Sequence, residues 1–206
     1  MCYKNLNHFL IQMYIPFLKE HEGCVLHPYL DSNGYLTTGY GSNISKKTDF
    51  LLFNWSLKNS PLSLQQKEDV WYLLQSKKIK KSLPAHKQHD FKVCFITHEE
   101  ALKKALEYLH KVALPTIRKK CLSIHVPFDS LKQELQLVLL DMEYNMGGNF
   151  QLAKQQNKSK KVWLKLSNLL INQQWEQIPF EVHRKHVSKK RNEWAYQFLS
   201  KAFLKG

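Results

Sequence analysis

The stretch from Glu22 to Gly41 constrains the fold of this chain more than any other. It reads EGCVLHPYLDSNGYLTTGYG, so an acidic residue closes a helical pattern and short β-prone segments follow, separated by glycine. The run 31–34, Asp-Ser-Asn-Gly, lies between these segments and is composed of turn-forming residues. Glu22 and Asp31 stand at the two ends of a tight helix-to-strand passage. That arrangement can point both carboxylates into one cleft.

The hydrophobic periodicity of the rest of the chain predicts helices. They cover residues 4–21, 63–76, 97–115, 129–146, 163–170, a short stretch at Trp175, and 188–203. Pro16 is expected to kink the first helix or to begin a second one, because proline cannot donate the hydrogen bond of a helix interior. Strand-like segments are confined to the front of the chain. This pattern predicts an α+β fold with segregated elements.

Several charged and aromatic side chains of these segments have simpler explanations than catalysis. Asp141 and Glu143, in the predicted helix 129–146, are assigned to capping and solvent exposure. Trp55, Trp71 and Trp163 are assigned to the core and not to sugar binding.

The length of 206 residues suits a single domain, residues 1–206, with two lobes. We expect a small N-terminal lobe with a β-hairpin over residues 16–62 and a larger helical lobe over residues 96–206. An inserted helix and a basic loop occupy residues 63–95 between them. Residues 63–66, Ser-Leu-Gln-Gln, have the form of a capping box at the start of that helix.

The composition excludes several classes of protein. No apolar run is long enough to span a bilayer. The net charge of +14 favours an anionic partner, but no nucleic-acid reader motif accompanies it, so we expect no nucleic acid. The four cysteines lack CxxC spacing and His86, His89 and His98 fit no metal site, so free thiols, no metal and no cofactor are expected. The N-terminus lacks a small-residue cleavage site and is interpreted as a structural helix, not a secretory signal.

Two carboxyl groups in different environments are the minimum for cleaving a glycosidic bond. Apolar and aromatic neighbours favour the protonated form of Glu22, and the polar turn favours the ionised form of Asp31. Thr37 or Thr38 can offer a hydroxyl to the same water. A glutamate at a helix end and an aspartate in a turn also have purely structural explanations, and the residues alone leave both open.

The same residues resemble the signature of the phage-type lysozymes, the endolysin muramidases of glycoside hydrolase family 24. The resemblance rests on the following positions: Glu22, Gly23, Tyr29, Asp31, Gly34, Thr37, Gly39, Tyr40 and Gly41. The intervals of nine (31 − 22) and fifteen (37 − 22) positions agree with that family. Residues 128–147 are similar to the family's central helix, and residues 188–194 to the start of its C-terminal helix.

The resemblance implies a lysozyme-like fold and a role for each matched residue. Glu22 is implied as the general acid and Asp31, assisted by Thr37, as the residue that holds or activates water. Four residues are implied to bind the substrate: Tyr29, Tyr144, Asn145 and Arg191. Arg191 is further implied to contact the carboxyl group of Glu22.

The implied function is hydrolysis of the β-1,4 bond between N-acetylmuramic acid and N-acetylglucosamine in bacterial peptidoglycan. The alternative is a non-catalytic peptidoglycan-binding module with the same fold. The expected partners are peptidoglycan and an immunity protein or a secretion or lysis machine. We expect synthesis in the cytoplasm and action on the cell wall after release or dedicated secretion. An endolysin, a bacteriocin-like toxin and a secreted effector all remain open.

Two departures from the family pattern concern the surroundings of the site. Residues 45–95 are longer than the simple phage enzymes need and resemble the insertion of bacterial toxin-like relatives. Ser42 stands where many relatives keep a histidine, and Cys24 lies close to Glu22 in the sequence.

Overall fold

A computed structural model describes residues 2–77, 83–154, 163–185 and 187–204, with side chains from residue 9 onward. The chain divides into two compact units. We call Ile15–Glu107 the hairpin unit and Met1–Tyr14 with Tyr108–Gly206 the helical unit. The strands lie in the hairpin unit, so the fold is α+β as predicted. Residues 78–82, most of the predicted basic loop, lie outside the described residues.

Helix α1, Cys2–His21, confirms the first predicted helix and belongs to both units. It continues through Pro16, so the prediction of a second helix beginning there was wrong. Apolar residues at helical spacing are buried along it: Leu10, Ile11, Tyr14, Phe17 and Leu18. Gly23 has φ +65°, a conformation that glycine adopts without steric cost, and it ends the helix as predicted.

The predicted hairpin is present as a three-stranded antiparallel sheet in the order β1–β2–β3. Its strands are β1 (Val25–Leu30), β2 (Leu36–Gly39) and β3 (Ser42–Asn43). Between β1 and β2 the Gly34 N–H donates to the Asp31 carbonyl oxygen at 2.9 Å, and the Asp31 N–H donates to the Tyr35 carbonyl oxygen at 2.9 Å. The turn chemistry that the sequence offers therefore fixes the register Tyr29↔Thr37.

The rest of the hairpin unit surrounds an aromatic core. Its elements are α2 (Lys47–Leu51), β4 (Ser56–Leu57), β5 (Ser60–Pro61), α3 (Leu64–Ser76) and α4 (His98–Tyr108). The capping box at Ser63 is present, with hydrogen bonds in both directions between Ser63 and Gln66. Trp55 is buried, stacks on Phe50 with ring centroids 4.7 Å apart, and donates its indole N–H to the Phe50 carbonyl oxygen at 2.8 Å. The assignment of Trp55 to the core is confirmed.

The helical unit is built around one buried helix. Its helices are α5 (Leu114–Ser123), α6 (Gln133–Met146), α7 (Leu164–Ile171), α8 (Ile178–Glu181) and α9 (Lys189–Phe203). A π-helical turn, Leu109–Ala113, joins α4 to α5, and Pro115 lies in the first turn of α5. Helix α6 confirms the predicted periodic run and ends at Gly147, which has φ +46°. Among the described residues, no helix is both long and apolar enough to cross a membrane.

Candidate active site

Glu22 is fixed at the C-terminal end of α1. Its backbone N–H donates to the Leu18 carbonyl oxygen at 3.0 Å, which continues the helical hydrogen bonding by one residue. Its side chain is half-buried. Gly23 then turns the chain from α1 towards β1. The carboxyl group is therefore carried by a rigid helix end and not by a flexible loop.

Asp31 occupies the first position of the turn between β1 and β2. Its Oδ1 accepts hydrogen bonds from the backbone N–H groups of Asn33 at 2.9 Å and Tyr35 at 2.8 Å. The Asp31 side chain is half-exposed. Two N–H donors hold one carboxylate oxygen, so the orientation of the carboxylate is set by the turn itself. Such a carboxylate can orient a water molecule with its other oxygen.

Tyr29 brings the two carboxyl groups into one electrostatic environment. Burial, then the charges of Glu22, Asp31 and Cys24, raise the pKa of Tyr29 to about 12. A negative charge raises the pKa of a phenol only when it lies close enough to disfavour the phenolate. Glu22 and Asp31 come from different elements, and both act on the same hydroxyl group.

The two threonines of β2 differ in what their hydroxyl groups contact. Thr38 lies inside the hairpin, where its hydroxyl donates towards the carbonyl oxygens of Val25 at 3.2 Å and His27 at 3.3 Å. Thr37 donates to the Tyr35 carbonyl oxygen at 3.0 Å and pairs with Tyr29 across the strands. Side chains of directly opposed residues project on the same face of a sheet. Thr37 therefore shares the face of Tyr29, whereas Thr38 lies on the opposite face.

Cys24 forms a hydrogen bond with Tyr40 at the start of this segment. Burial raises the pKa of the Cys24 thiol, although the hydrogen bond with Tyr40 acts in the opposite direction. The thiol therefore stays protonated at neutral pH and is a poor nucleophile. Cys24, Cys94 and Cys121 are free thiols, as the spacing predicts.

Tyr144 and Asn145 lie in the last turn of α6, in the helical unit. The ring of Tyr144 contacts those of Tyr14 and Tyr108, with centroid distances of 5.9 Å and 5.6 Å. The Asn145 amide donates to the Asp141 carbonyl oxygen at 2.7 Å and to its Oδ1 at 3.2 Å. Neighbouring aromatic rings and a side-chain hydrogen bond thus fix both proposed substrate contacts in orientation.

Asp141 is the centre of a buried ionic cluster, so its assignment to capping and solvent exposure was wrong. The side chain is fully buried. Its carboxylate accepts hydrogen bonds from the Tyr14 hydroxyl at 2.9 Å, from Arg184 Nη1 at 2.6 Å and from Arg191 Nε at 3.0 Å. Arg191 also donates to the Tyr14 hydroxyl at 3.2 Å. A buried carboxylate of this kind compensates two buried guanidinium groups.

Glu143 is also buried, and its assignment to solvent exposure was wrong. Lys120 Nζ lies 2.5 Å from Glu143 Oε2 and donates to the Gly147 carbonyl oxygen at 2.8 Å. Burial raises the pKa of Glu143, and the neighbouring ammonium group opposes this shift. Lys120 therefore ties α5 to the C-terminal end of α6, the turn that carries Tyr144 and Asn145.

Sequence reasoning missed Lys120 and Arg184 as buried cations. Lys120 follows another lysine in a helix whose basic residues look solvated, and Arg184 follows α8 in an irregular segment without periodicity. Neither position carries a local signal, because the partner carboxylates are far away in the sequence. The described residues include no group of three or more His, Cys, Asp or Glu side chains that could hold a metal ion.

The predicted site residues fall into two sets. The hairpin unit contains Glu22, Tyr29, Asp31 and Thr37, and the helical unit contains Tyr144, Asn145 and Arg191. Ser42 pairs with Thr38 in the sheet. Comparison with known proteins adds no identification, because no protein-family model matches the chain and no curated protein is significantly similar to it.

Proposed function

We propose that this chain is a muramidase that hydrolyses the β-1,4 bond between N-acetylmuramic acid and N-acetylglucosamine in bacterial peptidoglycan. The observation that carries the proposal is the placement of two carboxyl groups on fixed elements: Glu22 ends α1, and Asp31 is held in the turn after β1 by two backbone N–H groups. Both also contribute to the raised pKa of Tyr29. Hydrolysis of a glycosidic bond needs two carboxyl groups flanking the bond, one to protonate the leaving oxygen and one to act on water or on the sugar.

Glu22 is proposed as the general acid. It lies half-buried at the end of α1, and a general acid must carry a proton that it gives to the leaving oxygen. Asp31 is proposed to hold the attacking water. Its Oδ1 is fixed by two backbone N–H groups, so the turn sets the orientation of the carboxylate. Thr37, on the same face of the sheet as Tyr29, is proposed to assist that water.

Tyr144 and Asn145 are proposed to bind the glycan. An aromatic ring packs against the apolar face of a sugar, and an amide group can donate to and accept from sugar hydroxyl or acetamido groups. The net charge of +14 supports an anionic target, because it raises the concentration of the protein at a negatively charged cell wall. The proposal includes a lysozyme-like fold and action at the cell wall. It also includes an immunity protein or a secretion or lysis machine as a partner.

Replacement of the proposed acid tests this function. Glu22→Gln keeps the shape of the side chain but cannot protonate the leaving oxygen, so we expect it to abolish release of muropeptides from purified peptidoglycan. Glu20→Gln is the matched control, because Glu20 is a largely exposed carboxylate on the same helix. The control should release muropeptides at the wild-type rate. Full release by the Glu22→Gln variant would refute the assignment of the acid.

A further inference from the structure

The outer edge of β1 is covered by hydrogen-bonding groups. Strand β2 pairs with one edge of β1, and main-chain groups of Leu26 and Leu30 bond to partners outside the sheet. The Ile96 N–H donates to the Leu26 carbonyl oxygen at 2.8 Å. Pro28 has no N–H to satisfy, which suits an edge position, and its carbonyl oxygen accepts from His27 Nδ1 at 2.7 Å. Each described partner satisfies a main-chain group that would otherwise be unpaired.

Gln88 completes this edge at Leu30. Its side chain is 1% exposed. Gln88 Oε1 accepts the Leu30 N–H at 2.7 Å, and Gln88 Nε2 donates to the carbonyl oxygens of Leu30 at 2.9 Å and Leu83 at 2.8 Å. One side-chain amide therefore supplies the acceptor and the donor that a neighbouring strand would supply. Phe91, fully buried just after Gln88, anchors the segment that carries it.

The consequence for Asp31 follows from the peptide group that joins it to Leu30. The carbonyl oxygen of this group accepts from Gln88 Nε2 at 2.9 Å, and its N–H donates to the Tyr35 carbonyl oxygen at 2.9 Å. The peptide plane is held from both edges of the strand. Rotation of this plane would move the Cα atom and the carboxylate of Asp31 together.

We infer that Gln88 is a positioning residue for Asp31, which it holds by clamping the Leu30–Asp31 peptide group. The inference rests on the proposed function, because it concerns the residue that holds the water. It gives part of the long segment 45–95 a role: this segment supplies the edge partner of the strand that leads into the site. Gln88 is buried, and we infer that it acts through the backbone of Leu30 and Asp31.

Gln88→Met tests the inference against a matched control. Methionine keeps the volume of the side chain and removes both the donor and the acceptor. The control is Gln136→Met in the helical unit, because Gln136 is also buried and its amide donates to two carbonyl oxygens, those of Phe128 at 3.1 Å and Leu131 at 3.0 Å. Both variants should lose thermal stability. At a temperature where both are folded, we expect Gln88→Met to lower kcat by about 10- to 100-fold with little change in KM, since small misplacements act on the chemical step.

Gln88→Glu provides a rescue that a purely structural role would not show. A protonated carboxyl group offers an acceptor and one O–H donor, which suffice for the two Leu30 groups although not for the Leu83 carbonyl oxygen as well. The carboxylate cannot donate to the Leu30 carbonyl oxygen. We therefore expect the kcat of this variant, divided by the wild-type kcat at each pH, to rise as the pH falls. This readout also holds if Gln88→Met does not fold.

Hydrogen exchange of the Leu30 amide checks the contact without any activity assay. Exchange should accelerate in Gln88→Met and stay at the wild-type rate in Gln136→Met. Unchanged exchange, unchanged kcat in Gln88→Met, or a pH-independent kcat ratio in Gln88→Glu would each overturn the inference. If the wild-type protein releases no muropeptides, the proposed function fails and the inference falls with it. If the wild type is active and Gln88→Met behaves like Gln136→Met, the inference alone fails.

Discussion

Replacement of Asp141 should lower the stability of the helical unit strongly. The Asp141 carboxylate is fully buried and compensates the guanidinium groups of Arg184 and Arg191. In the substitution Asp141→Asn the volume is kept and the negative charge is lost. Both arginines would then be buried without this counter-charge. Two further donors of Arg184, Nε and Nη2, are already buried without a partner among the described residues, so the cluster has little capacity to absorb the loss.

The magnitude follows from the cost of an uncompensated buried charge. Removal of one partner of a buried ion pair costs about 3–5 kcal/mol. For a protein of this size each kcal/mol lowers the melting temperature by about 2–4 °C. We therefore expect Asp141→Asn to lower it by about 6–20 °C, as the product of these two ranges. Thermal denaturation followed by far-ultraviolet circular dichroism measures this shift.

A matched control and a double substitution separate charge burial from other effects. Asp129 pairs with Arg118 at 2.6 Å, but both side chains remain more than a quarter exposed. Asp129→Asn should cost about 1 kcal/mol or less, as for surface ion pairs. Arg184→Met in the Asp141→Asn background removes one of the two cations that the first substitution leaves without Asp141. The loss of stability in the double variant should therefore be smaller than the sum of the losses in the two single variants. A melting temperature of Asp141→Asn equal to that of Asp129→Asn, or strict additivity, would refute the reasoning.

Two further predictions concern the hairpin unit. Because both carboxylates raise the pKa of Tyr29, Glu22→Gln and Asp31→Asn should each lower it from about 12, as followed by alkaline titration of the phenol. In the wild-type protein, the stability that the raised pKa of Tyr29 contributes is complete below pH 10 and is lost as the pH rises to about 12. A Tyr29 pKa that is unchanged in both variants would contradict the proposed clustering of the two carboxyl groups. Gly39 has φ +61°, and a Cβ there would lie 3.2 Å from a neighbouring side chain, so Gly39→Ala should cost about 1–3 kcal/mol in denaturant unfolding. Gly148→Ala is the control, since nothing lies within 4 Å of its added Cβ; equal stability of the two variants would contradict the steric reasoning.

The elements that the sequence predicts best are those with local signals. Residues 31–34 form the turn between β1 and β2 because aspartate and glycine satisfy the turn within their own backbone. Ser63 begins α3 through a hydrogen bond to a residue three positions later. Helix α6 follows from apolar spacing and ends at a glycine. In each case the residues that decide the local structure are close to one another in the sequence.

The features that the sequence does not reveal depend on residues far apart in the chain. Asp141 pairs with cations 43 and 50 positions away, and Gln88 reaches Leu30 across 58 positions. A charged residue on a helix is usually exposed, so the sequence assigned Asp141 and Glu143 to the surface. In the structure each is buried because it pairs with a cation. Pro16 likewise stays inside α1, where packing of the helix outweighs the lost hydrogen bond.

Mass spectrometry of digested peptidoglycan tests the proposed function most directly. Reduction of the digest before analysis labels each newly formed sugar end and so identifies the bond that was cut. The wild-type protein should produce muropeptides that end in reduced N-acetylmuramic acid, and Glu22→Gln should produce none. Products that end in reduced N-acetylglucosamine, or no soluble products from the wild-type protein, would contradict the assignment of a muramidase.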